Sequence, residues 1–283
     1  MIDIDHLKTW VGRTEEQSDV AAPAPLAGLA ALLDHVHPPW PEHELPPLAH
    51  WLYFLPRARQ SDIDADGHPK RGGFLPPAPL PRRMWAGSRI EFRGPIAIGA
   101  AMVRRSSILS VEAKSGASGD MVFVTVRHEI SGDAAPAIVE EQDIVYRQAP
   151  KPEASGGAPL APAAERRESE WTRTVTPDPV QLFRYSALTF NGHRIHYDRD
   201  YCRGVEGYPG LVVHGPYTAT LLVDHFLRRR PQASIATLQF RARRPLFDTA
   251  AFDLCGAMRE SGASLWARGP HGETAMELAL RLA

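Results

Sequence analysis

The chain has 283 residues, 43% hydrophobic and 23% charged, with a formal net charge of -1; that is chain enough for one large domain or two ordinary ones, and so even a balance gives no whole-chain field to draw nucleic acid or an anionic membrane. Its two cysteines, Cys202 and Cys255, are too few for a disulfide framework and match no zinc spacing. No stretch approaches the ~20 apolar residues of a membrane span, and the opening MIDIDHLKTWVG lacks the apolar centre of a signal peptide, so a soluble protein of the reducing cytoplasm is expected.

In chain order, DHLKTWVG (5–12) reads as a short amphipathic helix, and APAPLAGLAALLDHV (22–36) as a longer one with proline at its start. Residues 37–83 are loop-like, rich in proline and carrying the turn-forming DADGHPKRGG. Strand patterns follow at 89–96, 100–116, 119–132 and 140–148. The run RQAPKPEASGGAPLAPAAERRE (147–168) has almost no large apolar residue to bury and reads as a linker. We therefore expect a first half over 1–148, a linker over 149–168 and a second half over 169–283.

The second half repeats the plan. WTRTVTPDPVQLFRYSAL (171–188) opens as a strand and a turn, and HGPYTATLLVDHFLRRR (214–230) reads as a helix with arginines in its last turn, where the helix dipole favours cations. Three strands are expected after it, over 233–247, 250–261 and 274–283. A helix followed by an antiparallel meander, twice, points to an α+β architecture.

The polar segment FNGHRIHYD (190–198) is the strongest candidate for chemistry. His193 and His196 are spaced as a metal pair on a helix would be, but no H-E-x-x-H pattern or cysteine cluster accompanies them, so no metal is expected. Asn191 adds a hydrogen-bonding amide beside two groups that exchange protons near neutral pH. GYPGLVVHG (207–215) then runs into the predicted helix, whose unpaired N–H groups suit a developing oxyanion. A proton-transfer group beside an oxyanion donor is what chemistry alpha to a carbonyl requires. No G-x-S-x-G, Walker or dinucleotide-binding motif is present. RARRP (241–245) is either a phosphate clamp or a solvated strand edge.

YSALTFNGHRIHYDRDY (185–201) followed by YPGLVVHGP (208–216) resembles the hydratase motif of the MaoC-like and type 2 enoyl-CoA hydratases. It is closer still to the hydroxyacyl-thioester dehydratase type 2 and mesaconyl/itaconyl-CoA hydratase branch. The resemblance is sharp over residues 183–220. It implies a double hot-dog fold, each half an antiparallel sheet wrapped around a central helix, with the first half supplying pocket walls and one active site set between the halves. His196 falls on the family's catalytic histidine and Gly215 on the glycine whose N–H polarises the thioester carbonyl. Asn191 stands where most of these hydratases carry aspartate, and His193 where they carry asparagine. Either His196 alone exchanges the proton while Asn191 orients water, or His193 takes over the missing partner's role.

The resemblance further implies an acyl-CoA substrate, no separate cofactor because CoA is part of that substrate, and a homodimer. Tyr208, Gly210 and His214 are expected to border the substrate, Arg194 to meet a substrate carboxylate or a surface acid, and Arg241, Arg243 or Arg244 to meet the phosphates. The activity expected is hydration of a short, branched or dicarboxylic enoyl-CoA such as mesaconyl- or itaconyl-CoA, or the reverse dehydration. Three competitors stand beside it: a dehydratase of acyl-carrier-protein thioesters, a hot-dog thioesterase, and a non-catalytic acyl-CoA-binding protein.

Overall fold

A computed structural model describes residues 2–116, 119–132, 135–148, 167–231 and 233–283; most of the expected linker lies outside them. Ten strands form one antiparallel sheet in the order β1-β3-β4-β5-β2-β7-β10-β9-β8-β6. The first half of the chain contributes β1 (Thr14–Val20), β2 (Arg82–Phe92), β3 (Ala101–Gly116), β4 (Gly119–Ser131) and β5 (Pro136–Arg147). The second contributes β6 (Trp171–Val175), β7 (Ile235–Ala242), β8 (Phe252–Arg259), β9 (Gly262–Arg268) and β10 (Thr274–Leu282).

The two half-sheets are sewn together by β2 and β7, in register from Gly87↔Arg241 to Glu91↔Thr237. Burial alternates along β4, whose Val122, Val124, Val126, His128 and Ile130 all face inward, as the period of two requires. The sheet ends on β1, whose polar TEEQSDV leaves few apolar groups to recruit another strand.

The helices are α1 (Ile4–Lys8), α2 (Pro23–Leu32), α3 (Pro179–Thr189), α4 (Arg199–Gly204) and α5 (Gly215–Arg229). The central helix of the second half is α5, with every residue from Tyr217 to Leu227 buried, packed on β8, β9 and β10. In the first half α2 is shorter, at 10 residues, and packs on α3 and a 3-10 turn over Ala49–Leu52. A cavity of about 730 Å³ stands over β2–β5 on that side.

Besides β1 and α4, which were not expected, three further elements differ from expectation. Residues 176–188 hold α3 rather than a turn: Asp178 Oδ1 accepts from Val180 N–H (2.7 Å) and Gln181 N–H (3.0 Å), and Pro179 takes the first helical position, where its missing N–H costs nothing. The last meander has four strands, because Gly262–Arg268 forms β9 after a tight turn. The strand expected at 89–96 begins at Arg82, inside the segment read as loop.

Asp224 fastens α5 to both halves. It is 2% exposed and meets His35 Nε2 (2.5 Å), Arg173 (3.2 Å) and Arg228 Nε (2.8 Å), while Arg228 also donates to Leu33 O (2.5 Å). Removing one member of a buried charge cluster strands the rest. Asp224→Ala should therefore lower the unfolding free energy by about 3 kcal/mol in a urea titration.

Candidate active site

The segment between α3 and α5 is shaped by local backbone bonding. Phe190 ends α3 with φ 47°, and Asn191 N–H returns to Ser186 O (2.8 Å). Asn191 Oδ1 then accepts from His193 N–H (3.0 Å), an Asx turn that leads into a 3-10 turn over Arg194–His196. The turn drives His196 inward, where its Nδ1 lies 2.7 Å from Val212 O. A carbonyl only accepts, so Nδ1 carries the hydrogen and Nε2 is left with its lone pair. Burial holds His196 neutral, with its pKa pushed down to about 4 despite that hydrogen bond.

His196 stacks on His214, the rings 3.6 Å apart and 17° from parallel. His214 Nε2 meets Ser186 Oγ at 2.8 Å, and burial keeps this ring uncharged too. The next residue, Gly215, opens α5, and its N–H has no hydrogen-bond partner among the described residues. Stacking thus sets the lone pair of His196 and the free N–H of a helix N-terminus close together. Both border a cavity of about 380 Å³ between the halves, with Arg83, Trp85 and Gln142 on its first-half wall.

An acid also reaches this site, from the far side of the fold. In the loop after the Gln60–Asp62 turn, Asp66 Oδ2 lies 2.9 Å from His68 Nδ1, and the His68 ring is 4.0 Å from that of His193. The loop is held there by Arg194 N–H donating to Asp66 O (2.9 Å) and by Gly67 at φ +90°, where a Cβ would lie 1.8 Å from Gly192 O. Burial lowers the pKa of His68 and, with the charges of His68 and His196, that of His193. The ligand atoms of Asp66, His68 and His193 lie within 4.8 Å of one another, the one group of three among the described residues close enough to share an ion.

Of the residues expected at the site, His196, Asn191, His193, Gly215, Tyr208, His214, Arg243 and Arg244 all line this cavity, Arg243 while paired to Glu277 at 2.7 Å. Three others do not. Arg194 is taken up by Asp198 (2.8 Å) and Ala65 O (3.1 Å). Arg241 is exposed on β7, where its charge acts on Asp143. Gly210 serves the loop instead, since a Cβ there would lie 2.5 Å from Asp248 Oδ1, the acceptor of Leu211 N–H. Asp66, His68 and Arg83 escape a reading of the sequence. The Asp-x-His spacing in DADGHP was the only local signal, and it looks like any polar turn.

A sequence profile of the hydroxyacyl-thioester dehydratase type 2 family matches residues 48–248. The chain belongs to that family. It is accordingly a carbon–oxygen lyase acting on thioesters. It is 47% identical over 274 residues to mesaconyl-C(4)-CoA hydratase of Chloroflexus aurantiacus, covering 96% of both chains. It is 28% identical to the mitochondrial hydroxyacyl-thioester dehydratase type 2 of Schizosaccharomyces pombe, over 78% of this chain and 80% of that one. Family resemblance extends to the architecture. A MaoC-like dehydratase structure superposes with a TM-score of 0.72 at 14% identity, over 98% of this chain and 99% of that one. A Mycobacterium tuberculosis protein described as a double hot-dog fold gives 0.57 at 13%, over 96% of each chain. The fold is a double hot-dog.

Depressed histidine pKa values carry a sign for stability. A histidine at 6.5 in the unfolded chain and about 4 in the folded one leaves the unfolded state holding more protons between those values. The folded protein's advantage is complete above pH 6.5 and is lost as pH falls towards 4. His196 alone should account for on the order of 2 kcal/mol between pH 7 and 5. Urea midpoints measured across that range should fall steeply for the native chain and less steeply for His196→Gln.

Proposed function

We propose that this lyase adds water across the double bond of a short enoyl-CoA whose acyl group carries a second carboxylate, as mesaconyl-CoA does, or removes it in reverse. The observation that carries this reading is the stacked pair that puts the His196 lone pair beside the free N–H of Gly215. The relative sharing 47% of its residues supplies the substrate type.

In the forward direction the thioester oxygen accepts a hydrogen bond from Gly215 N–H at the positive end of α5. His196 Nε2 takes a proton from water as the oxygen bonds to Cβ. The π electrons move through Cα to the thioester oxygen as an enolate, and the proton then passes from His196 to Cα. Atoms balance, with one O–H and the C=C π bond exchanged for one C–O and one C–H. A buried neutral imidazole is suited to both transfers, since it starts as a base and returns to one. Nδ1–H stays fixed on Val212 O throughout and steadies the imidazolium.

Asn191 orients rather than exchanges. Its Oδ1 is occupied by His193 N–H, which leaves the amide N–H groups to hold the water. Asp66 and His68 supply the acid that the motif lacks, Asp66 fixing the His68 tautomer and His68 backing His193. We read this trio as a proton-holding network, because Asp66 Oδ2 is already engaged by His68 and Oδ1 by His68 N–H (2.8 Å). No separate cofactor enters the proposal. A cytoplasmic homodimer using mesaconyl- or itaconyl-CoA belongs to the same proposal, and no helix among the described residues is long and apolar enough to cross a membrane.

With a mesaconyl-CoA thioester, the purified chain should bleach the enoyl absorbance, and release of thiol instead would reject the lyase mechanism. His196→Ala should lower kcat by ~10²–10⁴-fold. A folded His196→Ala with near-native turnover would remove the base assigned here. Asp66→Asn should lower kcat more modestly, about 10-fold, and shift the acid limb of its pH profile, as expected of a group that acts through His68.

A further inference from the structure

The cleft between the halves and the cavity over β2–β5 meet, and few side chains border both; Arg83, His68, Gln142 and Asn191 are the polar ones. Among the described residues Arg83 is the only arginine to do so. It lies on β2 two residues before Trp85, so both side chains project from one face of the strand into the cleft. Arg147 and Arg244 border only the smaller cavity, and three other arginines nearby are already engaged. Arg82 holds Glu206 (2.8 Å), Arg243 holds Glu277, and Arg104 donates to Gln17 Oε1 (2.9 Å) under the charges of Glu15, Glu140 and Asp19. Arg83 has no carboxylate within salt-bridge distance among the described residues. Its charge acts on His68 and His193, which places it near the reacting end of the cleft.

A half-buried guanidinium without a counter-ion, beside a tryptophan and facing two cavities, is a poor structural choice and a good ligand site. Its fork offers parallel N–H groups that match the two oxygens of a carboxylate. Position along the substrate decides which carboxylate. A substrate with its thioester oxygen on Gly215 and Cα–Cβ beside His196 lies in the cavity that Arg83, Asn191 and Pro216 border. These three also border the larger cavity, along the seam where the two meet, so a substituent on Cβ has Arg83 in the same cleft. The carboxylic acids near that seam are otherwise engaged: Glu140, 1% exposed, is held by His50 (3.0 Å), Trp51 Nε1 (3.0 Å) and Ser88 Oγ (2.7 Å).

We propose that Arg83 is the specificity residue of this enzyme, binding a carboxylate carried on Cβ of the enoyl-CoA and so selecting dicarboxylic over neutral acyl groups. The proposal rests on the hydratase reading above and extends it. A neutral acyl chain leaves the guanidinium without a carboxylate partner, and a site built around a polar group rejects an analogue that cannot pair with it. Gln142, on β5 opposite Ser88, gives a second polar group at the seam.

The test compares two thioesters that differ only in carboxylate against methyl, fumaryl-CoA and crotonyl-CoA, across the native chain, Arg83→Lys and Arg83→Met. The native ratio of kcat/KM should favour fumaryl-CoA by roughly 100-fold. Arg83→Met should bring that ratio close to one, and Arg83→Lys should fall between, since lysine keeps the charge and loses the fork. The thermal midpoints of the variants establish that they fold. A folded Arg83→Met that keeps the native ratio overturns the proposal and leaves the hydratase reading standing; a native chain that prefers crotonyl-CoA overturns the proposal together with the dicarboxylic part of that reading, and leaves only the addition of water standing. A native chain that hydrates neither thioester instead overturns the hydratase reading on which the proposal is built.

Discussion

The pairing of β2 with β7 is the constraint on which the rest of the molecule turns. Five residue pairs, Gly87↔Arg241 to Glu91↔Thr237, make one sheet of two half-sheets. Backbone hydrogen bonding fixes that register to within a residue, because a slip by one would turn every side chain to the other face. The strand that seals the seam also carries Arg83 and Trp85 into the cleft opposite the N-terminus of α5. A catalytic centre assembled from both halves is then a consequence of sheet register rather than of any one loop.

Within that frame, the site runs on uncharged histidines. Burial depresses His193, His196 and His214 together, and each has a defined hydrogen-bond or ring contact to hold it neutral and oriented. A cluster of three imidazoles would repel itself if protonated, so neutrality is cooperative. The arrangement suits an addition reaction, in which the base must start uncharged and an N–H donor must face the negative charge that develops on an oxygen. Free energy is spent on this, since buried neutral histidines and the orphaned Nδ1 of His214 weaken the fold, most of all at acid pH.

Much of this was legible in the sequence where the signal was local. His196, His193, Asn191 and Gly215 sit in short contiguous words, and the α5 pattern with its terminal arginines predicted the observed helix to within a residue. Signals failed where structure depends on distant partners. The strand that joins the halves begins at Arg82, inside the segment read as loop, and its first residues were missed because paired arginines and a glycine hide the alternation. Asp66 and His68 meet His193 only through tertiary docking across more than a hundred residues of chain, which no local pattern encodes. Of the two partners left open for Arg194, a substrate carboxylate and a surface acid, the structure pairs it with Asp198, four residues on. The turn expected within 171–188 gives way to a helix because Pro179 at the first helical position, after Asp178, is a start signal.

In the reaction we propose, water adds across a carbon–carbon double bond while the thioester survives. The direct measurement is mass spectrometry and NMR of the product formed from an enoyl-CoA in H₂¹⁸O or in D₂O. Hydration gives one ¹⁸O on Cβ, one deuterium on Cα in a single configuration, and CoA still attached. Label appearing in a released carboxylate, with free CoA, would contradict it.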